Sequence, residues 1–456
     1  MIPEDPDPSR SAFLGLRVRP VHFAALALNL FFLLTPVSQL APRGALGKVP
    51  MAVEAAILVV LLGRWALSGF HPGPTAPLLW LGLAILHAMA SALWAFDAEI
   101  CLRYGIRALH WALWAYALFA VIATRRDLIA LLRGLHGAAF VAASVGIVQG
   151  LFPTLQADFT KENTEGAEGA ALVWESEVRS GSIVRVTGTL AHPLGLALLL
   201  NFTLPWTPVL LRAAATRTGK GLVVLSAAAQ LLALGLTYSR MAVLALALSL
   251  VLYVLRGGVR RRAATLSLIA LAATFSLPFL PDTMIERLFD PTHFRESESL
   301  VGRLEMQVYG SDLGQKHGLF GVGYGCYGPA YEAAALGSYV EQARWLSEHA
   351  DFTGYDYGAI GAHNTWLEVW VEQGVLGLAL LFTVLGLLAA GLLRTNARLE
   401  RGSPGRDLGL GLEACFAALL FSTVVLHCQE FPIAWIFIGL CAAWLRLERE
   451  RRPAAP

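Results

Sequence analysis

The sequence predicts an all-α polytopic membrane protein of about twelve transmembrane helices with a large, partly helical periplasmic loop. Composition is the first reason. The 456 residues are 56% hydrophobic and only 15% charged, where soluble domains carry about 25% charge, and the mean hydropathy is +0.58. Distribution is the second. The apolar residues gather into runs of about 17–25, the length that crosses a hydrocarbon core of about 30 Å. The third is periodicity. These runs lack two-residue alternation, so a lipid-facing barrel is excluded and helices must satisfy the backbone.

In order, the expected spans are 21–40, 51–67, 76–96, 104–123, 128–151, 187–211, 221–237, 241–255, 264–280, 366–393, 408–426 and 431–445. The first follows Arg17 and Arg19 but exceeds the apolar core of a cleavable signal, so it reads as an anchor. The seventh and eighth are joined by a tight turn, Thr237-Tyr238-Ser239-Arg240. Two long polar segments remain, 152–186 and 281–362. Loops of that length are uncommon unless functional, and the second carries helix-like spacing over 299–313 and 331–349. The chain thus divides into a leader (1–20), helices 1–5 (21–151), a loop (152–186), helices 6–9 (187–280), the large loop (281–362), helices 10–12 (363–445) and a tail (446–456).

Basic residues set the expected orientation. Arg125, Arg126, Arg212, Arg217, Lys220, Arg256, Arg260, Arg394 and Arg398 fall in alternate short connections, on the same side as both termini. That side is expected to be cytoplasmic and both polar loops periplasmic, in a bacterial inner membrane. A net charge of +2 offers no global field for nucleic acid. The five cysteines have no zinc-ligand spacing, and a Cys101–Cys326 pair is the one disulfide left open.

Several outward polar residues are candidates for chemistry. Arg240 opens the eighth span. It is either a snorkelling anchor or an anion site, since a guanidinium grips phosphate oxygens in pairs. Arg185, before the sixth span, is a loop arginine or a second anion contact. Arg303, in Gly302-Arg303-Leu304-Glu305, either pairs with neighbouring acids along its helix or joins them. His363 stands before the tenth span in His363-Asn364-Thr365-Trp366. Asn364 or Thr365 can cap that helix, and nearby cations would lower the imidazole pKa toward that of a general base. Glu368 and Glu372 share one face a turn apart, where Glu368 can orient His363; carboxylates in a span often mark function. Asp97 and Glu99 offer a weak acidic metal motif. Gly323-Tyr324-Gly325-Cys326-Tyr327-Gly328 fits a dinucleotide glycine pattern but has no preceding strand, so it reads as a turn.

Together these stretches resemble the O-antigen ligase/polymerase superfamily of bacterial envelope glycosyltransferases. They are Arg185-Val-Thr-Gly-Thr-Leu-Ala-His-Pro193, Tyr238-Ser239-Arg240, Gly302-Arg303-Leu304, Gly321-Val-Gly-Tyr-Gly325 and His363-Asn364-Thr-Trp-Leu-Glu-Val-Trp-Val-Glu-Gln-Gly374-Val-Leu-Gly377. One departure is His192-Pro193-Leu194, where many relatives carry an asparagine pair around the proline. The resemblance implies a metal-independent, inverting transfer with no cofactor. The donor would be an undecaprenyl-pyrophosphate-linked glycan at the periplasmic face. The acceptor would be a lipid A-core sugar in a ligase, or another glycan in an O-antigen or exopolysaccharide polymerase. Arg240 and Arg303 would stabilise the pyrophosphate and His363 would activate the acceptor. Arg185, Asn364 and Glu368 complete the substrate-binding set, and membrane lipids surround the site. A metal-dependent lipid-phosphate transferase using Asp97 and Glu99, and a transporter of lipid-linked glycans, are the competing classes.

Overall fold

A computed structural model describes residues 20–40, 49–67, 75–152, 179–180, 183–190, 192–256, 298–338, 361–426 and 431–451. Its first helices are α1 (Pro20–Leu40), α2 (Val49–Leu67), α3 (Ala76–Ala90), α4 (Ala98–Val121) and α5 (Arg125–Leu151). They are followed by α6 (Pro193–Thr203), α7 (Thr207–Ala213), α8 (Arg217–Leu236) and α9 (Arg240–Arg256). The long polar loop contributes α10 (Glu298–Lys316) and α11 (Tyr327–Ser338), and these are followed by α12 (Thr365–Ala397), α13 (Pro404–Val425) and α14 (Pro432–Glu450). A two-residue antiparallel pair, Arg179–Ser180 with Ile183–Val184, precedes α6.

Local chemistry sets the boundaries. Thr124 and Asp127 form a reciprocal capping box that starts α5. Thr216 caps α8 and Ser403 caps α13. Pro205 and Pro208 cannot donate to the preceding turn, and the span they interrupt divides into α6, a 3-10 turn at Leu204–Trp206, and α7.

Eleven of the twelve expected spans fall on helices; 264–280 lies outside the described residues. Among the described residues, six helices, not twelve, are by length and composition apolar enough to cross a membrane, including Arg125–Leu151 and Thr365–Ala397. The expected start of the sixth span at residue 187 is corrected. Residues 185–190 are not helical, and α6 starts at Pro193, where His192 Nδ1 accepts from the Leu194 N–H at 3.0 Å. The expected helix over 331–349 is seen as Tyr327–Ser338; its remainder lies outside the described residues.

The α6–α7 span is buried along most of its length. Around it α4 packs on α14, α12 on α3 and α13, α9 on α13, and α5 on α1 and α8. The connections grouped by basic charge meet at one end of this bundle. Arg125 grips Glu448 through two bonds of 2.7 and 2.6 Å. Arg212 pairs with Asp407, Arg256 pairs with Glu413 at 2.7 Å, and Arg446 donates to the Ile122 carbonyl. The opposite end carries the α8–α9 turn, the head of α12, and α10 with α11.

Candidate active site

The site end is built on a broken helix. Inside α12, Gly374 has φ 68° and ψ −170°, far from helical values. A Cβ there would collide with the Leu319 carbonyl and the Phe320 nitrogen, so both the backbone angle and the contact demand glycine. The break frees peptide groups that a membrane protein cannot leave bare. The loop after α10 takes them up. Val322 N–H donates to the Val371 carbonyl and Gly323 N–H to the Glu372 carbonyl, both at 2.9 Å, while Val375 N–H donates to the Gly318 carbonyl at 2.9 Å. His87 of α3 closes the gap, its Nε2 donating to the Gln373 carbonyl at 2.9 Å. The two glycine-rich motifs are therefore halves of one joint. The same loop rests on the α3–α4 turn, where Phe96 N–H donates to the Val322 carbonyl at 2.7 Å. Of the dinucleotide-like glycines, Gly323 and Gly325 have positive φ in the turn before α11, as does Gly321 nearby, while Gly328 lies inside α11.

His363 precedes α12 with φ 49°, a left-handed conformation rare outside glycine. Its neighbours hold it there. Asn364 Oδ1 caps the helix, accepting from the Trp366 and Leu367 N–H groups at 3.0 and 3.3 Å. The buried Glu368 carboxylate accepts from the Ala362 N–H at 3.0 Å. Thr365 donates to the Leu426 carbonyl from both its backbone (3.0 Å) and its hydroxyl (2.5 Å), which pins this helix head to the end of α13. Glu372, also buried, accepts from the Tyr327 N–H at 3.3 Å. Burial, with the charges of Glu368 and Glu372 among the smaller causes, raises the Tyr327 phenol above its ordinary range, so it stays protonated and donates to the Met306 carbonyl at 2.5 Å.

The arginine turn is built in the same manner. Tyr238 has φ 50° and Arg240 opens α9. Arg185 Nε donates to the Thr237 carbonyl at 3.0 Å, and Val186 N–H to the Leu236 carbonyl at 3.2 Å. Arg185 therefore braces the turn from which Arg240 opens α9. Behind it, Gln149 of α5 accepts from the Thr187 and Gly188 N–H groups at 3.1 and 2.8 Å. Gln149 and His87 were missed in the sequence, since each meets a partner from a distant element.

Helix register relates these parts. Ser249 of α9 donates to the Ala414 carbonyl of α13 at 2.7 Å. The helices run antiparallel, so following both from this contact toward the site end reaches Arg240 on one and Thr423 on the other, a turn before Leu426. Arg240 and Thr365 are thus both beside the last turn of α13. On α10, Gly310 lies against Leu367 and Gly314 against Trp370. The two helices run parallel there, and the α10 backbone carries Arg303 toward the His363 end. The Arg303 side chain lies outside the described residues.

Below the histidine runs an apolar cleft of about 100 Å³ between α3, α12, α13 and α14. Thr365, Val369, Gln373, Gly377, Leu381 and Leu385 line it at four-residue intervals down one face of α12. Neither His363 nor Arg240 lines it.

The metal candidates have other partners. Asp97 caps α4 by accepting from the Ile100 N–H at 3.0 Å, and Glu99 pairs with Arg103 at 2.8 Å. Among the described residues no group of three or more His, Cys, Asp or Glu is arranged to hold an ion. The Cys101–Cys326 pairing left open by the sequence is not formed; both thiols are free and buried. Burial, partly offset by a bond to the Asp97 carbonyl, pushes the Cys326 thiol up to about 12.

Residues 223–382, roughly a third of the chain, match the family model of the O-antigen ligases. The match makes this segment similar to the O-antigen ligase/polymerase superfamily. A search of curated proteins found no match. The matched segment contains Arg240, Arg303, His363, Asn364 and Glu368, while Arg185 lies before it. The apolar helices and this likeness together support a multi-pass membrane protein.

Proposed function

We propose that the protein transfers a glycan from undecaprenyl pyrophosphate to an acceptor hydroxyl, a lipid A-core sugar, at the periplasmic face of the inner membrane. The observation that carries this reading is that the matched segment brings the Arg240 turn and the His363 helix head to one end of the bundle, away from the basic end. The positive-inside bias assigns the basic end to the cytoplasm, which leaves the site outward. The neighbouring cleft has room for a short apolar segment, so the lipid next to the pyrophosphate enters it while the rest of the tail stays in the bilayer.

The chemistry is a single displacement. His363 takes the acceptor hydroxyl proton as the oxygen attacks the anomeric carbon. The bond from that carbon to the phosphate oxygen breaks, and undecaprenyl pyrophosphate leaves with the electron pair. Attack opposite the leaving group inverts the anomeric configuration. Arg240 and Arg303 face the charge that develops on the pyrophosphate, where one well-placed donor is worth about 2.7–4 kcal/mol. Arg185 braces the Arg240 turn, and Glu368 and Asn364 fix the backbone on either side of His363. No step requires a metal or a cofactor.

A transporter often exposes a broken helix at mid-membrane. Here the groups freed at Gly374 are bonded to the loop and His87, which favours a fixed scaffold over a moving gate. Deleting the gene and restoring it with wild type, His363→Ala or Arg240→Ala tests the proposal on a lipopolysaccharide gel. Only the wild type should restore attached glycan. Retention of single repeat units in the deletion strain would instead identify a polymerase, and restoration by both variants would end the mechanism.

A further inference from the structure

The outward half of α4 carries charge on a face turned away from the protein. Glu99, Arg103, Arg107 and His110 recur there at helical spacing. Leu102, Ile106 and Leu113, on the same side, are exposed apolar residues, which marks this face as one that meets lipid. Most of its charges are matched within the protein. Glu99 pairs with Arg103 at 2.8 Å, and His110 Nε2 donates to both oxygens of the buried Glu54 carboxylate at 3.0 and 2.8 Å. Arg107 is exposed and has no hydrogen-bond or ion-pair partner among the described residues. It stands about 14 Å along the helix from Ala98, at about 1.5 Å per residue. A guanidinium among lipid-facing leucines and isoleucines is costly without a counter-ion. The anion available to it in a bilayer is a lipid phosphate, and the charge match selects that occupant. Arg103, one turn nearer the helix start and held by an exposed ion pair, is within reach of the same headgroup.

We propose that Arg107, assisted by Arg103, forms a binding site for the phosphate of a membrane lipid in the leaflet on the site side. The site is separate from the transfer residues but adjoins their scaffold. Tyr104, next to Arg103, is the residue against which Gly325 packs, and that loop bonds the broken α12. A lipid held here lies against the wall that supports the helix head of His363. Its source is either bulk phospholipid or the phosphorylated lipid of the acceptor, and the two separate by experiment.

The test uses the purified full-length chain in mild detergent, titrated with dioleoyl phosphatidylglycerol or with diphosphorylated lipid A, and native mass spectrometry of the lipids retained. One surface arginine near a lipid phosphate is worth about 1 kcal/mol, so Arg107→Gln should weaken retention about five-fold. Arg103→Gln/Arg107→Gln should weaken it further and Arg107→Lys should largely keep it. A loss confined to lipid A assigns the acceptor; a loss that includes phosphatidylglycerol assigns bulk lipid. His363→Ala should retain lipid like the wild type while losing transfer, so failure of the transfer mechanism is distinguishable from failure of this site. A photoactivatable phosphatidylglycerol should crosslink the wild type within residues 99–113, a readout that needs no variant. Retention unchanged in Arg107→Gln, or crosslinks only elsewhere, overturns the site.

Discussion

His363 and Gly374 sit eleven positions apart, and both adopt left-handed backbone, yet for different reasons. Gly374 permits a break, and the Leu319 carbonyl fills the space where a side chain would be. Gly374→Ala should therefore lower stability by at least about 1–3 kcal/mol, the usual cost of such strain, and release the 318–323 loop to protease; a thermal melt in detergent with limited proteolysis checks it. His363 is held in strain by its neighbours. The Glu368 carboxylate bonds the peptide before it, not the ring. Glu368→Gln keeps an acceptor and should retain most activity, while Glu368→Ala should lose it in kcat more than KM with the protein still inserted. The Cys326 thiol, pushed up to about 12, stays mostly protonated below that pH. Only thiolate alkylates readily, so labelling of Cys326 by iodoacetamide should stay slow throughout pH 7 to 9 in the folded protein, climbing with pH without levelling off, and become rapid on denaturation. The His-Asn motif was legible in sequence because its cap is local. His87 was not, because the carbonyl it serves lies 286 residues away.

At the scale of elements, the sequence shows helices well and their interruptions poorly. Hydropathy located α12 but could not see the break within it, because Gly374 is one glycine in an apolar run. The segment before α6 reads as the start of a helix because Val186, Leu190 and Leu194 are apolar; Val186 and Leu194 are buried and Leu190 is partly so. What distinguishes it is Gln149 of α5, whose side chain replaces the helical partners of Thr187 and Gly188. Gln149→Leu leaves two buried N–H groups without acceptors. It should cost about 1–3 kcal/mol per orphaned group and loosen the turn that holds Arg185 and Arg240, seen as a lowered melting temperature and weaker donor binding. The turn before Arg240 was legible for the opposite reason, being short and flanked by two clear spans.

For the whole molecule, the distribution of arginines did more than composition. Alternate connections carry the charge, and their side chains meet acids from other helices at one end, as Arg125 meets Glu448 and Arg256 meets Glu413. Removing one partner of a buried pair leaves the other charge stranded, at about 3–5 kcal/mol. Arg125→Ala should fall near the low end of that range, because Arg125 is partly exposed. Such a variant should melt earlier yet transfer normally at low temperature, since the proposed site lies at the other end. The proposed transfer needs Arg240, Arg303 and His363 to meet at the end opposite the basic one. Its most direct test is transfer by the purified chain, reconstituted with an undecaprenyl-pyrophosphate glycan and a lipid A-core acceptor in EDTA. The wild type should form the new glycosidic bond with inverted configuration, and His363→Ala and Arg240→Ala should each be at least about 10²-fold slower. Wild-type rates in both folded variants, or a wild type that works only with added divalent metal, would contradict it.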